Sequence, residues 1–212
     1  MSSIRDIVKF ITGPFFIARL RATIYSVFYR QASSHACIFK GIYLTLRHIK
    51  WGRNVLIFKN CRIEGISRFG TKRYTPLIEL SDGVTLQQNC HITCAERIAI
   101  GANTAIASNV TITDIEHGYT DIRTPIEWQD LIVKPIRIGS DCKIYNNAVI
   151  LQGCEIGNHC VIGANSVVKG KFPDYSVIVG IPARVVKRYN PLSGQWEKTR
   201  PDGSFIDPDK NS

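Results

Sequence analysis

A neutral imidazole can take the proton from a weakly acidic nucleophile near pH 7, provided a carboxylate or carbonyl on its other nitrogen fixes the tautomer. The chain has five histidines, His35, His48, His91, His117 and His159. His117 stands in a stretch with partners for such work, because residues 113 to 135 also carry Asp114, Glu116, Tyr119, Glu127, Trp128 and Asp130. His159 falls in the turn-like Gly157-Asn158-His159, and His35 and His48 give no readable signal. Seven cysteines invite a disulfide or zinc reading, but the number is odd and no C-x-x-C is matched by a second such pair or by paired histidines. No metal site is expected.

What holds His117 in place is written in a repeat. From Ile138 an aliphatic residue recurs every sixth position, as Ile138, Ile144, Ile150, Ile156, Ile162 and Val168. The same phase runs upstream through Ile100, Ile106 and Ile112, and less regularly through Leu80, Leu86 and Ile92. Six is neither the 3.6 of an amphipathic helix nor the bare alternation of a half-buried strand. It fits short strands joined by tight turns, three to a coil, so that every sixth side chain points into a triangular bore and stacks on the one a coil away. Gly101-Ala102-Asn103 and Gly139-Ser140-Asp141 read as the turns. Cys90, Cys142, Cys154 and Cys160 take the small inward position, where free cysteine packs as a small hydrophobe. His91, next to inward Ile92, points outward on a flat face.

The composition, 44% hydrophobic and 21% charged over 212 residues, is that of an ordinary globular protein with one main domain. A net charge of +10 favours anionic partners. Nucleic acid is not expected among them, since no zinc-finger spacing, basic heptad or aromatic RNA-binding signature is present. No stretch reaches the roughly 18 apolar residues of a membrane span. A reducing, cytoplasmic setting is expected for the free thiols.

The hexads resemble those of the hexapeptide-repeat acyltransferases. Gly163-Ala164-Asn165-Ser166-Val167-Val168, followed by Val179-Gly180-Ile181-Pro182-Ala183-Arg184-Val185-Val186-Lys187, is similar to that family's closing signature. The likeness covers roughly residues 75 to 190 and is nearest in pattern to bacterial sugar O-acetyltransferases of O-antigen, capsule or exopolysaccharide synthesis. It implies an all-β solenoid, a left-handed parallel β-helix that trimerises and takes acetyl-CoA between neighbouring prisms. It also implies His117 as general base, five residues beyond Ile112, with Asp130 and then Asp114 as carboxylates that orient it. Asn146, Ala164, Lys169, Arg184 and Lys187 are the implied acetyl-CoA contacts. Gln87 stands where relatives use an asparagine near the acceptor, and with His91 and Trp128 it makes up the expected acceptor side. Lys143 replaces a tryptophan of several relatives, so the acceptor pocket is not expected to copy the galactoside enzymes.

The domain organisation follows. Residues 1–50 form an N-terminal helical segment, with Ile4, Ile7, Val8, Ile11 and then Phe16, Leu20, Ile24 and Val27 at helical spacing and a break at Gly13-Pro14. That segment reads equally as a cap on the open first coil and as an interfacial helix on an anionic membrane. The β-helix spans 51–175 with an inserted loop at 113–135, a short C-terminal helix caps it at 176–189, and 190–212 is a polar, loosely ordered tail. The expected activity is acetyl transfer to a sugar hydroxyl, on an acceptor that is free, nucleotide-linked or lipid-linked. The alternatives are N-acylation of an amino or nucleotide sugar, and a catalytically silent scaffold.

Overall fold

The computed structural model describes residues 14–29 and 36–206. Its strands are two to eight residues long and make three parallel walls that the chain visits in rotation. The first wall stacks Cys37–Ile38, Leu56–Ile57, Thr85–Leu86, Ala105–Ile106, Lys143–Ile144, Val161–Ile162 and Ser176–Gly180. The second and third are 6-stranded, starting at Tyr43–Leu44 and Ile49–Trp51 and ending at Val167–Val168 and Lys171–Phe172. The result is a three-sided parallel coil.

The hexads fill the bore. Ile144 pairs with Ile162, Ile150 with Val168 and Ile138 with Ile156, and each is at most 1% exposed. Six of the seven cysteines are buried with them. The corner between the first and second walls is turned by a left-handed residue in the five coils after the first, Asn60, Asn89, Asn109, Asn147 and Asn165, with φ near +60°. Asparagine tolerates this region because its short amide bonds locally. Here the amides also bond to each other along the corner, Asn89 to Asn109, Asn109 to Asn147 and Asn147 to Asn165, at 3.0 to 3.1 Å.

The ends differ from expectation. The segment 1–50 is not helical throughout: among its described residues one α-helix, α1, runs over Pro14–Tyr29, and residues 37–51 already form the first coil because Ile38 and Ile49 fill its bore. The part of the expected segment before Pro14 lies outside the described residues. α1 closes the bottom of the bore with Ala18 and Ala22, Arg21 donates to the Ile38 carbonyl (2.9 Å), and Phe15 meets Phe39 edge to face. At the other end, 176–189 is a β-hairpin, not a helix. Ser176–Gly180 pairs antiparallel with Ala183–Asn190, since inward residues alternate at period two (Ile178; Ala183 and Val185). The tail is ordered further than its polarity suggests. Gln195–Lys198 adds a strand to this hairpin and Thr199 bridges to Phe205, while 207–212 lie outside the described residues.

Two arms leave the coil, both between the second and third walls. The first, residues 66–76, carries a hairpin of Arg68–Phe69 and Lys72–Arg73 turning at Gly70. The second, residues 114–134, is the expected loop, and its base pairs Ile115–His117 with Leu131–Val133.

Candidate active site

The second arm is held at its root by Asp114, which is fully buried. Its carboxylate accepts the backbone N–H groups of Ala95 (2.8 Å), Glu96 (2.9 Å) and Arg97 (2.9 Å), the tight corner of the coil between the two arms. All of its strong acceptor capacity is spent there, so the expected role of Asp114 as partner of His117 gives way to a structural one. Next along, Glu116 accepts the amide of Gln152, a side chain only 4% exposed on the coil above. The arm's outer part is knitted by Gln129, whose Nε2 donates to the carbonyls of Asp121 (2.9 Å) and Thr124 (2.8 Å). Asp121 binds Thr124 and the Arg123 N–H, and these bonds hold its carboxyl below the usual range. The 3-10 turn Ile126–Trp128 is fixed by this knot.

His117 thus sits on a short antiparallel ladder lifted off a rigid corner. Its ring meets Phe69 of the first arm edge to face, with centroids 5.3 Å apart. The ring is 40% exposed, yet Nδ1 is sheltered and has no hydrogen-bond partner. The nearest carboxylate is Glu127, with Oε2 3.7 Å from Nδ1, which is beyond hydrogen-bond length but one side-chain adjustment from it. Asp130, ranked first from the sequence, is 67% exposed and faces Lys72 at 3.9 Å instead. The antiparallel return of the arm turns the side chains of this stretch in alternating directions, which linear spacing does not reveal.

The remaining residues are spread over the surface. Asn146 and Ala164 are exposed neighbours on the asparagine corner, where the Asn165 N–H donates to the Asn146 carbonyl (3.0 Å). Arg184 and Lys187 are exposed on the terminal hairpin, and Lys169 is exposed past the end of the second wall. His91 lies outward on the second wall, as expected, with Nε2 3.0 Å from the Thr93 hydroxyl; burial and the Arg62 charge lower its pKa. Gln87 is half-buried, and Trp128 is 79% exposed on the arm. Among the described residues no hydrogen bond or ring contact joins Gln87, His91 or Trp128 to His117. No group of three or more His, Cys, Asp or Glu among them is placed to hold a metal ion. Glu127 was among the carboxylates of the loop but ranked behind Asp130 and Asp114, and Phe69 carried no role in the sequence reading; the short break in the hexads over 66–76 was the available signal for Phe69.

The family pattern described as bacterial transferase hexapeptide (six repeats) matches residues 135–170. The Escherichia coli K12 protein named as a lipopolysaccharide biosynthesis O-acetyl transferase, WbbJ, is 34% identical over 157 residues, which are 71% of this chain and 76% of that protein. The chain belongs to the hexapeptide-repeat transferases. Within them, the galactoside O-acetyltransferase of Escherichia coli K12 is 36% identical over 94 residues, 44% of this chain and 45% of that enzyme. A maltose O-acetyltransferase structure from Clostridium difficile 630 superposes with a TM-score of 0.57 at 22% identity, covering 83% of this chain and 88% of that one, and shares the fold. This hexapeptide-repeat transferase is an acetyltransferase.

Proposed function

We propose that the enzyme transfers acetyl from acetyl-CoA to a hydroxyl of a sugar in surface-polysaccharide synthesis, with His117 as general base. The relatives named as O-acetyltransferases support the reaction class. The placement of His117 carries the assignment of the base, for its sheltered Nδ1 leaves Nε2 as the nitrogen to meet a substrate. As the hydroxyl oxygen attacks the thioester carbonyl, His117 Nε2 takes its proton. Glu127, drawn in from 3.7 Å, accepts from Nδ1–H and steadies the imidazolium. Collapse of the tetrahedral species expels the thiolate, and His117 returns the proton to it, leaving free CoA thiol and the sugar ester. The exposed cations Lys169, Arg184 and Lys187 fit the phosphates of acetyl-CoA, which sit near solvent, and the Asn146–Ala164 corner fits its backbone contacts.

The left-handed sense of the coil and a homotrimer complete the reading. Sedimentation giving three times the chain's 23.8 kDa is expected. α1 supports a peripheral site at the inner membrane face. No helix among the described residues is long and apolar enough to cross a membrane, but α1 is apolar on two sides. Ala18 and Ala22 pack on the prism, whereas Ile17, Leu20, Ile24 and Val27 stay 46 to 70% exposed beside Arg19. Salt-sensitive co-sedimentation with anionic vesicles is the expected result, and equal recovery in the supernatant with and without vesicles removes the membrane role.

The deciding experiment measures thiol release from acetyl-CoA against a panel of oligosaccharides and lipid-linked intermediates. His117→Ala is expected to lower kcat by about 10²- to 10⁴-fold with little change in acetyl-CoA affinity. Unaltered turnover in that variant takes His117 out of the mechanism.

A further inference from the structure

The first arm has a charge pattern that packing does not explain. Arg68 and Arg73 are paired directly across its two strands, an arrangement in which like charges repel. Neither forms an ion pair among the described residues; Arg68 Nε donates only to the Gly70 carbonyl at the turn (3.2 Å). The arginines on the adjoining walls behave otherwise, since Arg62 holds Glu64 and Arg97 holds Glu79. Lys72 adds a third cation, answered by the exposed Asp130 at 3.9 Å. The arm therefore carries three positive charges against one carboxylate, at its tip, while its Phe69 ring touches the candidate base. Phe69 and Lys72 alternate to the side of the second arm and Arg68 and Arg73 to the other side, so the arginine pair lies across a single hairpin from His117.

A local conflict of this kind, kept beside a functional residue, points to a ligand that relieves it. We infer that the first arm binds a phosphate or diphosphate group carried by the sugar acceptor, so that the substrate is a glycosyl phosphate and not a neutral sugar. This rests on the acetyl-transfer reading above. Two guanidinium forks on neighbouring strands match phosphate oxygens geometrically, and the charge excess of two on the arm suits a dianion better than a single carboxylate. The anion is then held about 10 Å from the imidazole, the thickness of a sheet with its side chains, which a sugar unit or two can span. Phe69, on the His117 side of that hairpin, is an apolar surface beside the base for the sugar that reaches round from the anion.

The test uses the full-length protein with saturating CoA, so that the cofactor's own phosphate contacts are filled. Pyrophosphate binding is measured by calorimetry for wild type, His117→Ala and the double variant Arg68→Gln/Arg73→Gln. Binding by wild type and His117→Ala, weakened roughly 10-fold or more in the double variant, is the expected result. Binding that vanishes with CoA present, or that the double variant retains, overturns the inference. Because this readout needs no turnover, failure of the His117 mechanism leaves it intact. In the transfer assay, the double variant is expected to raise KM for a nucleotide-diphosphate sugar about 10-fold while KM for acetyl-CoA stays unchanged. A raised KM for acetyl-CoA, or equal use of a uronic acid or a neutral glycoside by wild type, also overturns it. Thermal melting of the double variant should match or exceed wild type, since the like-charge pair is gone.

Discussion

Two carboxylates on the second arm are told apart by what each one already holds. Glu127 is free to close on Nδ1 of His117, whereas Asp130 is drawn to Lys72. Glu127→Gln should therefore reduce kcat by about 10- to 100-fold with acetyl-CoA KM preserved, and Asp130→Asn should leave kcat within a few-fold of wild type. The reverse ranking in steady-state kinetics would exchange their roles. Asp114 belongs to stability. Asp114→Ala takes the acceptor from the buried Ala95 N–H and the part-buried Glu96 and Arg97 N–H groups and should destabilise the protein by roughly 1–3 kcal/mol, read as a lower urea midpoint.

At the scale of elements, the corner between the first two walls sets how the hexads stack. The five coils after the first pass through a left-handed asparagine there, and the amides from Asn89 to Asn165 bond from coil to coil. Asn147→Val places a β-branched residue at φ +60° and breaks two amide bonds, so a loss of about 1–3 kcal/mol is expected. Asn147→Gly keeps the backbone at ease and loses only the amide bonds. Its midpoint should fall between those of wild type and the valine variant, and equal midpoints for the two variants, both below wild type, would show that the ladder, not the backbone, governs the corner. The arms depend on this regularity, because a coil that slipped would carry Phe69 away from His117.

Over the whole molecule, a bore lined with thiols couples stability to pH. Burial, reinforced by the Asp114 carboxylate, pushes the Cys94 thiol far up, and burial pushes Cys154 up to about 12 from an ordinary 9.0. The unfolded chain gives up these protons near pH 9 while the folded one keeps them. The stabilisation is complete below about pH 8.5 and falls as pH rises from there toward 12. Urea midpoints measured from pH 7 to 10.5 should decline above about 8.5, and Cys154→Ala should make the decline shallower. An unchanged slope in that variant would remove Cys154 from the effect. The two ends share the burden of closing the bore, α1 below with Ala22 and the terminal hairpin above with Ala183 and Val185, as a solenoid requires at its termini.

The period of six in the sequence determined the coil, the identity of the bore residues and the small inward place of the cysteines, because each of these depends on side-chain volume repeating along the chain. The break at 113–135 marked the arm with His117 for the same reason: a side chain outside the repeat has no place in the bore. The caps were less legible. A helix was expected at 176–189 and a loose tail after it, but the alternation of Ile178, Ala183 and Val185 gains its meaning from an open sheet edge waiting to be paired. Partnership across the arms was not legible at all. Phe69 stands 48 positions before His117, and Lys72 meets Asp130 rather than any neighbour in sequence. Those contacts exist because two excursions leave the same corner of a stacked coil, and only the tertiary structure brings one arm down on the other.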